Sequence, residues 1–200
     1  NLTFYTSDGV TNNVEKMVLT SEGNLGIGLG WGGVQAKLHV TGSIQTNTLT
    51  YEQPDISTAT TSEFNGEIVF FGSFISPTPA VGDLICFNQN GFGTNGWTQA
   101  NNGNSTDSTG MLGIATSGVD PEDGVLIRGF ARSTKFSSTA APNGLGTSPI
   151  GKKVYISSTN GQYTTAAPTS NYVRIVGYVV ASDATEGTIY FCPDNTYIFI

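Results

Sequence analysis

Apolar residues in this chain fall in short runs broken by Gly, Asn, Pro and Ser, and none shows the three-to-four-residue spacing of an amphipathic helix. Runs of this kind, rich in Val, Ile, Thr and aromatic residues, predict strands. Strands are expected over residues 1–5, 15–20 and 37–41, then over 67–75 (EIVFFGSFI), 83–87, 111–115, 125–131, 153–156, 172–181 and 188–192. Residues 197–200 are expected to close the sheet. The breaks carry turn chemistry: Ser7-Asp8-Gly9, Asn12-Asn13, Ser21-Glu22-Gly23-Asn24, and the loops 88–96, 101–109 and 137–149. Asn160-Gly161 fits a tight hairpin turn. Residues 54–62, rich in Ser, Thr and Ala, read as a linker, which puts a boundary near Thr60. The expected architecture is all-β, with a glycine-rich region 1–60 and a head over 61–200. Closely spaced strands punctuated by Gly, Pro and Asn make that head a β-sandwich, jelly-roll-like, or a small β-barrel.

One stretch departs from ordinary strand composition. In Leu25-Gly26-Ile27-Gly28-Leu29-Gly30, glycine alternates with a bulky aliphatic residue. Alternate residues of an extended chain point to opposite faces. One face therefore carries Leu25, Ile27 and Leu29, and the other only glycine hydrogens, which admits close approach by another backbone. A strand with a single apolar face does not bury itself. Copies of the same strand, three chains winding about one axis, would supply the cover.

Composition narrows the classes. Charged residues make up 12% of the chain, against a usual value of about 25%, so polarity comes from Thr, Ser, Asn and Gly. The net charge is −7, and the eight Lys and Arg form no run. Nucleic-acid binding, which calls for a basic patch, is disfavoured. No apolar run reaches the roughly 18 residues of a membrane span, and no secretory signal is recognisable. The chain begins at Asn1 rather than Met, which suits a fragment or a processed form. Cys86 and Cys192 each sit in an apolar run and read as buried thiols, with a disulfide left open.

The order of strand, SEGNLGIG, short insert and KLHVTGSI resembles a segment of bacteriophage tail fibres and related trimeric virion appendages. The matching residues are Gly23, Asn24, Leu25, Gly26, Ile27, Gly28, Lys37, Leu38, His39, Val40 and Gly42. Leu29-Gly30-Trp31-Gly32-Gly33 stands where that family usually has Thr and then Pro. The likeness covers about the first quarter of the chain and marks a structural module, not a chemistry. From residue 81 to 194 the succession VGDLI, GW, MLGIA, DGVLIRGFA, GKKVYIS, VRIVGYVV and GTIYFCPD resembles small all-β modules of phage fibres and capsid-decoration proteins. The resemblance implies an intertwined trimeric β shaft or neck followed by the head.

Candidate chemistry is sparse. Residues 28–33 match G-x-G-x-x-G, with Glu52 further on, yet no helix follows to face a phosphate, so nucleotide binding is not expected. His39 is the single histidine, flanked by Leu38 and Val40, and reads as structural. One His and two separated Cys make no zinc site, and no metal or cofactor is expected. Asp120-Pro121-Glu122-Asp123-Gly124 gathers carboxylates that calcium could use, although a Pro-containing turn accounts for it. Sugars bind by stacking on aromatic faces while amides read hydroxyls. Phe92, Asn95 and Trp97, in or beside the Gly/Asn loop, are therefore the candidate glycan contacts, with Trp97 packing inward as the alternative and Tyr163 as a weaker candidate.

The expectation is a homotrimeric, non-enzymatic virion appendage protein. Its shaft is cored by Leu25, Gly26, Ile27, Gly28 and Leu29. Its partners are other virion structural proteins and a host surface polysaccharide, with no nucleic acid and no membrane insertion. The alternatives are a capsid-decoration or head-fibre protein without a receptor and, more remotely, a polysaccharide-degrading tailspike.

Overall fold

The computed structural model describes residues 2–6, 14–21, 23, 25–27, 38–40, 62–75, 77–89, 95–118, 124–139 and 145–200. The chain divides into two compact units, Asn1–Thr50 and Tyr51–Ile200. The division falls ten residues before the boundary expected at Thr60. Among the described residues there is no α-helix, and the protein is nearly all β.

The first unit is a four-stranded sheet in sequence order: β1 (Leu2–Thr6), β2 (Val14–Leu19), β3 (Leu25–Ile27) and β4 (Leu38–Val40). β1–β2 and β2–β3 are antiparallel, while β3–β4 is parallel. Gly23, at φ +77°, turns the chain from β2 into β3 and donates its N–H to the Thr20 carbonyl at 3.0 Å. The register sorts residue types into rows. Leu2, Leu19, Leu25 and Leu38 align across the sheet, as do Phe4, Met17, Ile27 and Val40. Between those rows run Thr3, Val18, Gly26 and His39. Rows two apart share a face and the row between belongs to the other, so Met17, Leu19, Leu25 and Ile27 share one side of this sheet and Val18 and Gly26 the other.

The second unit is built on a nine-stranded sheet curled into a half-barrel. Its strands are β5 (Glu63–Val69), β6 (Leu84–Gln89), β7 (Asn95–Gln99), β8 (Met111–Ala115), β9 (Val125–Ser133), β10 (Lys153–Ile156), β11 (Tyr163–Thr164), β13 (Ile175–Ser182) and β14 (Gly187–Phe191). All its pairings are antiparallel, in the order β11-β10-β13-β14-β9-β8-β6-β7. β5 lies along β9 from Arg132 to Val125. β9 also meets β8 at its start and β14 at its end. It is the strand on which the sheet turns. A single curled sheet, rather than the two facing sheets of a jelly roll, is the arrangement found.

β5 and β9 come close enough at one point to require glycine on both strands. Gly66 faces Gly129. A Cβ on Gly66 would lie 2.1 Å from the Arg128 carbonyl oxygen, and one on Gly129 2.2 Å from that of Asn65. Bulk on either side would push the strands apart.

The apolar runs bury on both faces. Leu84 and Cys86 of β6 join the main core with Leu112, Ile114, Leu126, Phe136, Val154, Ile156, Val176, Ile189 and Phe191. Ile85 and Phe87, on the opposite face, pack with Trp97, Ala115 and Val125 in a second cluster. A strand covered on both sides reads as a continuous hydrophobic run, which is why 84–87 carries no polar alternation.

Three expected strands come out differently. The run 67–75 is not one strand: β5 ends at Val69, and Gly72 at φ +85° turns the chain back over Trp97. There Trp97 N donates to Ser73 O (2.8 Å) and Ile75 N to Trp97 O (2.9 Å), so this segment covers the β7 edge. The run 172–181 is interrupted at Arg174, leaving β12 (Tyr172–Val173) outside the main sheet. The C-terminal β15 (Ile198–Phe199) pairs with β12 in a two-stranded ribbon and does not close the large sheet. Asn160-Gly161 belongs to a longer connection between Ile156 and Tyr163, in which only Gly161 has positive φ (+69°).

Candidate functional site

Of the expected glycan contacts, Trp97 takes the inward-packing alternative. Trp97 is 0% exposed. Its ring sits 5.4 Å from Phe71 and 5.2 Å from Phe87, and its indole N–H donates to the Phe71 carbonyl at 2.9 Å. An indole packed edge-to-face and hydrogen-bonded in this way has no face left for a sugar. Asn88 is likewise consumed, its amide donating to Thr98 Oγ1 (2.8 Å) and the Thr106 carbonyl (2.9 Å). Asn95 is exposed at the start of β7, and Phe92 lies outside the described residues. Tyr163 is buried too, with its hydroxyl donating to the Gly82 carbonyl at 2.9 Å.

Of the expected trimer-core residues, Leu25 is half-buried, Gly26 buried and Ile27 exposed; Gly28 and Leu29 lie outside the described residues. Leu19 and Ile27, on the apolar side of the first unit, are 41% and 38% exposed. Val18, on the opposite side beside Gly26, is buried. The motifs at 28–33 and 120–123 also lie outside the described residues.

Both cysteines are free thiols. Cys86 is buried, and burial pushes its pKa up to about 11. Cys192 is raised in the same direction by burial. Among the described residues no His, Cys, Asp or Glu cluster could hold a metal, and no helix is long and apolar enough to cross a membrane.

What the sequence reading missed is a groove of about 700 Å³ where β5, β8 and β9 meet the segment after β14. Glu67, Thr109, Arg128, Arg174, Cys192 and Asn195 lie along it. Arg174 is its deepest charged member, 3% exposed. Nε donates to the Asp194 carbonyl (2.6 Å), and Nη1 to the carbonyls of Ser108 (3.0 Å) and Gly110 (2.6 Å). These bonds gather the 101–110 loop, β8 and the end of β14 around one guanidinium. They explain why the apolar run 172–181 breaks there. Burial lowers the Arg174 pKa from its ordinary value, yet arginine stays charged in proteins. Arg128, exposed on β9, pairs in register with Glu67 and is raised by its hydrogen bond to Tyr190. The sequence signal was a lone cation inside Tyr-Val-Arg-Ile-Val, where strand alternation alone would place an apolar residue or a solvated one.

Elsewhere, buried charges are matched by carboxylates. Asp83 meets Lys135 Nζ at 2.7 Å and accepts from Gln99 Nε2 at 2.7 Å, and Arg132 faces Glu63 (3.3 Å) and Glu186 (3.8 Å). These pairs stitch strands together and line no groove of this size.

The fold and these features define an all-β protein of two units, one with a curled sheet and a cationic groove, the other with an apolar sheet face. Compared with protein-family models, curated proteins and solved structures, the chain has no match.

Proposed function

We propose that this chain is a homotrimeric, non-enzymatic virion appendage protein of the phage-fibre type, with the first unit as shaft or neck and the second as a head that attaches to a host surface glycan. The observation that carries the reading is the apolar side of the first unit, where Met17, Leu19, Leu25 and Ile27 line up and leave Leu19 and Ile27 at the surface. A sheet this small needs further apolar cover to be stable, and two more copies of the same sheet supply it. Gly26, buried on the opposite side, agrees with close backbone approach there. The resemblance of the GNLGIG and KLHVTG segments adds the virion assignment. Three heads on one axis multiply weak contacts through effective concentration.

Labelling purified virions with antibodies against the chain tests this reading. Label at fibres or tail tips is the expected result. Label on tailless heads would move the assignment to capsid decoration, a reading favoured by the self-contained core of the second unit. Loss of polysaccharide viscosity on adding the protein would revive the tailspike reading.

A further inference from the structure

We infer that the Arg174 groove is a subsite for a carboxylate-bearing sugar, such as a uronic acid residue of an acidic polysaccharide. The inference deepens the attachment role proposed above and rests on it. Arg174 is 3% exposed and, among the described residues, its guanidinium is held by backbone carbonyls alone. Carbonyl dipoles satisfy its N–H groups without neutralising its charge. The buried Arg132 and the half-buried Lys135, by contrast, each have a carboxylate. Nη2 takes part in none of the Arg174 bonds, and the residue lines the groove.

Two of the chain's three arginines meet in this groove, although the chain as a whole carries a net charge of −7. Arg128 stands opposite Glu67 in the β5–β9 register, so those two charges offset one another. Cys192, with its pKa raised, is neutral, and the Asp194 carboxylate, held ionised by Thr196 N (2.9 Å) and Oγ1 (2.8 Å), acts on Arg174 through space without forming an ion pair with it. Among the described residues Arg174 therefore has no carboxylate at ion-pair distance, and a ligand carboxylate would supply one. A dianionic phosphate would add an uncompensated charge beside Glu67. Nη2 offers its N–H groups to a ligand oxygen, and a hydrogen bond between a guanidinium and a carboxylate is of the strong, charge-assisted kind. Thr109, Asn195 and Glu67 supply the donors and acceptors that sugar hydroxyls need, and Met111 and Ile127 supply apolar wall. The volume of about 700 Å³ lies within the range of small-ligand sites.

The test is calorimetric titration of the full chain with a galacturonic acid trisaccharide, the corresponding neutral galactose trisaccharide and inorganic phosphate, at low and at physiological salt. The acidic trisaccharide is expected to bind at least tenfold more tightly than the neutral one and to weaken as salt rises. Arg128→Ala, at an exposed position, should weaken it about fivefold while leaving the thermal transition in place. Arg174→Lys should weaken it about tenfold, and its folding is checked by the same transition. Equal binding of acidic and neutral sugars, or tighter binding of phosphate, overturns the inference. So does acidic-sugar binding that ignores both substitutions. If the chain adheres to host cells while no acidic sugar binds, the subsite fails and attachment stands. If it neither adheres nor binds any sugar, both fail.

Discussion

The two units solve the burial of β-sheet in opposite ways. The second unit curls one sheet so that both faces of β6 are covered within the chain, by the main core on one side and the Trp97 cluster on the other. The first unit lines up its apolar residues in register and leaves Leu19 and Ile27 at the surface. In the larger sheet β6 is closed on both faces, and the most exposed apolar residues of that unit, Phe70, Ile150, Ile198, Phe199 and Ile200, lie outside its main-sheet strands; in the smaller sheet the exposed Leu19 and Ile27 belong to the strands themselves. The difference teaches that strand composition alone does not say where a strand is buried: apolar runs occur in both units, and only the register tells which face is closed.

Separating the units breaks the comparison most sharply. Residues 51–200 alone should keep a cooperative thermal transition close to that of the whole chain. Residues 1–50 alone should show strand signal by circular dichroism only at concentrations where they associate, because so small a sheet buries too little without partners. A well-folded, monomeric 1–50 would remove the contrast.

Within the second unit the largest single effect is expected at Trp97. Trp97→Ala should cost about 3–5 kcal/mol in denaturant unfolding, the usual range for emptying a large aromatic site, and it also strips the Phe71 carbonyl of its donor. Ile27→Glu should leave this unit's stability within about 0.5 kcal/mol, as surface changes do.

Glycine substitutions sharpen the picture. Gly129→Ala should destabilise by about 1–3 kcal/mol or more, since its Cβ would meet the Asn65 backbone. Gly146→Ala meets nothing within 4 Å and pays only for its positive φ of 84°, about 1–2 kcal/mol. Equal costs at the two sites would show that strand contact at Gly129 is not the cause.

The smallest expected effect is on pH. Cys86 holds its proton more tightly folded, with a pKa of about 11, than unfolded, at 9.0. Its contribution is therefore complete below pH 9 and is lost as pH rises toward 11. Urea midpoints should fall across that window, and the fall should be smaller in Cys86→Ala, with the buried Tyr163, whose pKa is raised in the same direction, contributing above pH 10. At pH 8 a thiol reagent should modify the partly exposed Cys192 well before Cys86.

Much of the fold was legible in the sequence. Met111–Ala115 and Lys153–Ile156 appear with the bounds that their apolar runs predicted, and β9 and β14 within two residues. What failed had a physical reason each time. EIVFFGSFI looks like one strand because Phe70, Phe71, Phe74 and Ile75 are apolar, but Gly72 takes a left-handed turn that lets the segment cap β7. Trp97 beside Asn95-Gly96 read as a loop aromatic because the Gly/Asn composition hides that the residue lies in the middle of β7 and packs against Phe71 and Phe87. The groove was invisible because its charged members, Glu67, Arg128 and Arg174, lie far apart in sequence and meet only through the β5–β9 register and the break after Val173.

The mass of the whole chain in solution, by light scattering beside Ile27→Glu and residues 51–200, tests the central claim most directly. Three copies of a 21.0 kDa chain give about 63 kDa. The account predicts that mass for the whole chain, with a shift toward monomer on placing Glu at position 27 or removing the first unit. A whole chain that stays monomeric at tens of micromolar would contradict it, because the apolar side of the first sheet would then face water in a stable protein.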